Sequence, residues 1–280
     1  MRLPGGESNI DIRVLGAADL SQASEVLAVG LCDNPLEVRA LGPDRSRRVK
    51  ALTRLFRALL ELPHQQRTGC FENGRLVGVS VASPPGSCRP GLLPSARLGL
   101  VVASFGPMAA VRVARWQTAW QRHDPPAPHN HLALLAVHPE ARHRGHGQML
   151  LSTYCQGLEK RGEVSYLETD RSENVGFYGS HGFSIAAEAD VLGVCNWFLL
   201  RPAGPRGGEA APETLGVGVR VWRTIRFRLE RSQEKAMSGE RFLFPIVRQV
   251  AKRDWLSVPL DRGLAPLNPL DARRYADPYV

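Results

Sequence analysis

The chain has 280 residues, 43% of them hydrophobic, and carries 36 basic and 27 acidic side chains for a formal charge of +9. That is ordinary for a soluble globular protein and long enough to bury a sizeable core in one large domain or two small ones. Its five cysteines (Cys32, Cys70, Cys88, Cys155, Cys195) are odd in number and form no Cys-x-x-Cys pair, which excludes a disulfide framework or a zinc knuckle and points to a reducing compartment.

The opening residues lack the apolar core of a signal peptide. The most apolar stretch, Leu92 to Val113, is interrupted by Pro94, Arg97, Gly99, Gly106 and Pro107, so no membrane span is expected and a cytoplasmic location follows. Residues 201–280 hold 15 basic and 9 acidic side chains, most of the excess charge. The charge therefore sits mainly outside the best-patterned part of the chain, and no nucleic-acid partner is expected.

In chain order, Asp11–Leu15 reads as a short strand, and Asp19 is placed to cap a helix with apolar positions at Leu20, Ala23, Val26 and Leu27. A second helix is expected over 44–62, apolar at Val49, Leu52, Leu55, Phe56, Leu59 and Leu60, with Pro63 closing it. Two apolar runs, 69–72 and 76–82, flank Asn73-Gly74, the strongest short hairpin signal, because a type I′ turn needs positive φ at both central residues. Residues 84–128 read as an insertion that shapes a pocket, with a helical pattern from Met108 to Trp120.

From His131 the pattern sharpens. Leu132–Val137 is apolar on both faces, as a central strand requires. Gln148–Lys160 is an amphipathic helix ended by Gly162. Residues 164–169 form a second central strand, 173–181 a short helix, and 183–187 and 191–200 the last strands. The order predicts an α/β fold with a mixed central sheet flanked by helices. From Pro202 the composition becomes rich in Pro, Gly and Arg, so 202–280 reads as a linker and partly disordered extension. Within it, 217–229 suits either a strand or a basic amphipathic helix.

The informative segment runs from Leu134 through His138, Pro139, Arg142, His143, Arg144, Gly145 and His146 to Gly147 and the helix behind it. A strand enters a loop that ends in glycines at a helix start. That geometry aims successive backbone N–H groups and the positive helix end at one spot, which suits a pyrophosphate. Glycines at 145 and 147 let backbone approach phosphate, and Arg142 and Arg144 add charge. The third glycine of a dinucleotide-binding Gly-x-Gly-x-x-Gly is absent, and so is the Gly-Lys-Ser/Thr of a Walker A loop.

Arg142-x-x-Gly145-x-Gly147 resembles the Gln/Arg-x-x-Gly-x-Gly/Ala motif of GNAT acetyltransferases, and Asn174-Val-Gly-Phe-Tyr178 followed by Gly182-Phe183 resembles that family's downstream signature. Leu167-Glu168-Thr169 before Asn174 resembles the subgroup containing puromycin N-acetyltransferase. The resemblance covers residues 10–201. It implies a GNAT domain over 1–201 that transfers acetyl from acetyl-CoA directly to a primary amine, a small molecule by the subgroup resemblance. A protein or peptide N-acetyltransferase and a non-catalytic CoA-binding module are the alternatives, and a homodimer is compatible with either.

The same resemblance implies that the backbone of Ala136 and Val137 meets the pantetheine arm, the amides of 142–147 the pyrophosphate, and Asn174 the arm again. Tyr178 is then the candidate acid for the departing thiolate. Two candidates exist for taking the amine's proton: Glu168, at the end of a central strand, and His131, read as sharing a face with Ala133, Leu135 and Val137. His129, His131, His138, His143 and His146 lack a His-Glu-x-x-His arrangement or a cysteine partner, so no metal is expected.

Overall fold

The computed structural model describes residues 9–87 and 91–204. Asn73 and Gly74 adopt φ of 52° and 78°, joining β2 (Gln66–Glu72) to β3 (Arg75–Ser83) in the expected hairpin. β1 (Ile10–Val14) pairs antiparallel with β2, and β3 pairs antiparallel with β4 (Asn130–Val137). The sheet has seven strands in the order β1-β2-β3-β4-β5-β7-β6, where β5 is Ser165–Thr169, β6 Ser184–Val191 and β7 Val194–Arg201. Only β4 and β5 run parallel. They pair at Asn130↔Ser165 and His131↔Tyr166 and nowhere further, so the sheet opens into a cleft beyond His131.

Five helices lie on one face, here the front: α1 (Leu20–Leu31), α2 (Pro35–Leu41), α3 (Arg45–Leu60), α4 (Leu92–Ala103) and α5 (Pro107–Gln121). Two lie on the back: α6 (His146–Arg161) and α7 (Ser172–Gly179). In front, Leu27 and Leu31 of α1 and Leu52, Phe56 and Leu60 of α3 bury Val79, Val81 and Ala136. Behind, Leu150, Leu151 and Cys155 of α6 and Tyr178 of α7 pack on Leu132, Leu135, Val137, Leu167 and Leu199. A Leu side chain fully buried in this way contributes about 2 kcal/mol by area alone.

Local chemistry explains the helix ends. The Asp44 carboxylate accepts the Arg47 N–H at 3.1 Å and caps α3. Gly162 (φ 63°) ends α6 after Lys160 and Arg161, cations suited to a helix C-terminus. Asp19 is not the side-chain cap its position suggested. Its carboxylate accepts the Gly16 N–H at 2.8 Å and Arg13 at 2.9 and 3.0 Å, tying β1 to the turn before α1.

The insertion holds two helices rather than the single one expected. α5 matches the Met108–Trp120 pattern and covers the front of the β5–β7–β6 half. Val113 and Trp116 pack with Leu36 and Ala40 of α2 and with Val191. Just past its end, His123 stacks on Phe198 with ring centroids 4.0 Å apart. α4 buries only Gly99 and leaves Leu92 and Leu93 87% and 86% exposed. Pro94 falls in its first turn, where a missing N–H costs nothing. α2 was also unforeseen, being about two turns with Pro35 at its start.

No helix among the described residues is long and apolar enough to cross a membrane. β7 ends at Arg201. The linker and extension expected from Pro202 onward, with the 217–229 segment, lie outside the described residues apart from 202–204.

Candidate active site

The loop from β4 to α6 is held from three sides. Its Arg142 guanidinium donates to the carbonyls of Gly30 at 2.7 Å and Val137 at 3.4 Å, so it fastens the loop to α1 and β4. Arg144 donates to Glu72 at 3.0 and 3.3 Å. His146 is buried, its Nδ1 2.9 Å from the Ala141 carbonyl. These three side chains shape the loop, and Arg142, which donates to these two neutral carbonyls, keeps its positive charge there beside the backbone N–H groups.

That backbone has the form of an anion cradle. His143 and Gly145 both sit at positive φ, 62° and 80°, and α6 begins one residue later. The first N–H groups of a helix have no acceptor within it, and left-handed residues beside them turn those N–H groups toward a common point. A Cβ on Gly145 would meet nothing within 4 Å, so the cradle is open on that side. One on Gly147 would lie 3.6 Å from Val137 Cγ2 and 3.8 Å from the Phe177 ring, placing α7 against the start of α6. On α7, Asn174 donates through Nδ2 to Thr169 Oγ1 at 3.1 Å, while its Oδ1 is buried with no hydrogen-bond partner. An open cradle and a buried spare acceptor beside it fit a pyrophosphate with an amide-bearing arm.

The cleft edge of β4 follows from pairing. His138 N–H donates to Val77 O at 2.8 Å, and Val137 lies opposite Gly78. Antiparallel alternation then turns the Leu135 and Val137 peptide groups toward the open β5 side and those of Ala136 toward β3. Of the two backbone sites expected for the arm, Val137 faces the cleft and Ala136 faces the neighbouring strand.

A β-bulge reorders the faces of β4. Val81 pairs with Leu134 but Ala82 pairs with Leu132, so Ala133 is an extra residue without a β3 partner. Leu132 consequently joins Leu135 and Val137 on the back face. His131 therefore does not share the face of Leu135 and Val137, contrary to its expected placement, because one inserted residue reverses every side chain before it.

His131 instead faces the front, beside Tyr166, with ring centroids 5.6 Å apart. There its Nε2 lies 2.7 Å from Glu168 Oε2. The two side chains expected as rivals form one pair, with Glu168 5% and His131 19% exposed. Tyr166 is buried, and its phenol is pushed well above its ordinary range by burial and then by the charges of Glu168 and Asp124. A second pair stands close by: His129 Nε2 lies 3.1 Å from Asp124 Oδ1. Asp124, His129 and Tyr166 were not picked out as catalytic from the sequence. The His-x-His spacing at the entry to β4, which turns both rings to one side, was the available signal.

Tyr178 lies on the back face, its ring 5.2 Å from Phe177 and 5.9 Å from Phe183 between centroids. It is buried in the cluster of Leu135, Val137 and Leu167, on the sheet face opposite His131 and Glu168. Among the described residues no group of three or more His, Cys, Asp or Glu side chains could hold a metal ion.

Residues 101–185 match the family model described as an acetyltransferase (GNAT) domain. That span contains the cradle, α7 and both carboxylate–imidazole pairs. Among solved structures, the histone acetyltransferase HPA2 and related acetyltransferase from Corynebacterium glutamicum is similar at 18% identity and a TM-score of 0.53, over 73% of this chain and 99% of that one. The PaiA N-acetyltransferase from Thermoplasma acidophilum, in complex with coenzyme A, matches at 17% identity and a TM-score of 0.40, over 69% of this chain and 99% of its own. The ribosomal-protein-S18-alanine N-acetyltransferase from Escherichia coli matches at 14% identity and 0.41, over 73% and 100%. The mixed, split sheet with its flanking helices is the GNAT fold. The match to an acetyltransferase (GNAT) domain covers residues 101–185, and on it the chain is an acyltransferase that draws on acetyl-CoA.

Proposed function

We propose that this protein acetylates the primary amine of a small molecule, with His131 and Glu168 as the proton-accepting pair and Tyr178 as the acid for the leaving thiolate. The observation that carries it is the 2.7 Å contact between His131 and Glu168 at the point where β4 and β5 part. Acetyl-CoA supplies the thioester carbonyl that the amine attacks. The cradle amides of 142–147, with Asn174 and the Val137 peptide, would hold its pyrophosphate and arm. Glu168 accepts the Nε2–H of His131, which leaves Nδ1 with a lone pair for the ammonium proton. Ala133 is exposed and has no β3 partner in the register, and its backbone N–H would polarise the carbonyl. Tyr178 then returns a proton to sulfur.

A small acceptor is favoured over a protein chain because α5 and the residues after it cover the front of β5 and β7 beside the pair. The Leu167-Glu168-Thr169 and Asn174–Tyr178 resemblance to the puromycin N-acetyltransferase subgroup supports the same reading. Assembly as a homodimer belongs to the proposal too, with exposed Leu92, Leu93, Leu100 and Met108 as its apolar surface. Sedimentation equilibrium reads it.

The experiment is calorimetric titration of acetyl-CoA, with Gly145→Glu as control, followed by a screen of small amines and N-terminal peptides for thiol release. Saturable binding abolished in the control, and turnover confined to small amines, is the expected result. Turnover confined to peptides overturns the acceptor class. Full activity in Tyr178→Phe removes Tyr178 from its role.

A further inference from the structure

His129, just before β4, and His131, at the start of its pairing with β5, stand two residues apart, with the Tyr166 ring of β5 at 5.5 and 5.6 Å from theirs between centroids. His129 is fixed at both nitrogens. Its Nδ1 lies 2.8 Å from the carbonyl oxygen of Ala127, and its Nε2 lies 3.1 Å from Asp124 Oδ1. A carbonyl can only accept, and so can a carboxylate. A neutral imidazole has one N–H, and serving two acceptors takes two. The ring therefore matches an imidazolium. Its side chain is 6% exposed and that of Asp124 15%, so water screens the charge little.

The charged and titratable groups facing this ring come from three elements. Asp124 belongs to the loop after α5, His131 to β4, and Tyr166 and Glu168 to β5. The ring centroids of His129 and His131 are 6.5 Å apart. Glu168 alone would favour a charged His131, which cannot take a proton. A fixed cation at that distance opposes it.

We propose that His129, held as a cation by Asp124, is a positioning residue that keeps His131 neutral and so able to accept the amine's proton. The inference rests on the reading of His131 as proton acceptor. It also explains what the insertion contributes to chemistry: Asp124, seven residues before His131, supplies the carboxylate that holds the charge. In each cycle His131 gains the proton lost by the ammonium and releases it to water. The new N–C bond forms as the C–S bond breaks, and the second proton shed by the nitrogen balances the one Tyr178 gives the thiolate, so one proton is released per cycle. His129 keeps both of its protons throughout.

Two readouts test this in the full-length protein. Nitrogen-15 NMR of the histidine rings, in the absence of substrate, should show both His129 nitrogens protonated through pH 8. In His129→Gln the His131 titration midpoint should rise by about one pH unit, from a unit charge lost at this separation in a partly screened site. The acid limb of kcat/KM should move up by the same amount, while the KM for acetyl-CoA stays as it was. Asp124→Asn should move the limb in the same direction, because His129 then loses its proton in the neutral range. A neutral His129 at pH 7, or an unmoved His131 midpoint in folded His129→Gln, overturns the proposal. An acid limb that survives in His131→Gln instead overturns the proton-acceptor reading. The ring titrations still decide whether His129 controls His131 in that case.

Discussion

Gly145→Ala separates the cradle's cost in folding from its value in binding. Gly145 sits at φ 80°, where an L-residue is strained by about 1–2 kcal/mol. An added Cβ would meet no protein atom within 4 Å, so no clash adds to that figure. For a domain of this size each kcal/mol lowers Tm by roughly 2–4 °C, giving an expected fall of about 2–8 °C. If phosphate packs against this backbone, the same methyl blocks a charge-assisted hydrogen bond worth about 1.5–3 kcal/mol, or roughly 10- to 150-fold in Kd. Calorimetry with acetyl-CoA, beside a thermal melt of the same sample, reads both quantities. A melt lowered as expected with an unchanged Kd would refute the cradle, since the open side of Gly145 would then face only water.

Glu168→Gln should lower kcat/KM by about 10²-fold or more, and the double variant with His131→Gln should be little worse, because the two act as one unit. A steady-state double-mutant cycle checks this. Gly30→Ala should destabilise by about 1–3 kcal/mol in urea melts, because its Cβ would come 2.9 Å from Ala136 Cβ and 3.2 Å from the Val137 carbonyl. It should also weaken acetyl-CoA binding, since Arg142 fastens the loop to the Gly30 carbonyl. Glu37 is pushed well above the usual carboxylate range by burial and then by the Asp170 carboxylate, whose own value is also raised, first by burial. A raised acid stabilises the fold fully below its unfolded value and loses that contribution as pH rises through its folded value. Tm should therefore fall from about pH 4.5 upward, and Glu37→Gln should flatten that slope in melts at successive pH values.

Much of this protein is determined by short-range pattern. The Asn73-Gly74 hairpin, the apolar β4, the glycines of the cradle and the helix behind them each draw on neighbours a few residues apart, and periodicity and turn chemistry are local properties. So the GNAT fold was legible, as was the loop that shapes the cradle. α2 and α4 escaped the same reading because a short helix and a barely buried one carry little amphipathic pattern. Tertiary structure alone decided the chemistry of the front face. The β4 bulge is a mismatch between two strands, visible only when Val81 and Ala82 are paired with Leu134 and Leu132. That one residue turns His131 toward Glu168, 37 positions away. Packing between distant segments likewise takes Arg142, which reads as a phosphate ligand, to the Gly30 carbonyl 112 residues back. A side chain's partner is set by which strands and helices meet, and that is a property of packing between distant segments rather than of the residues beside it.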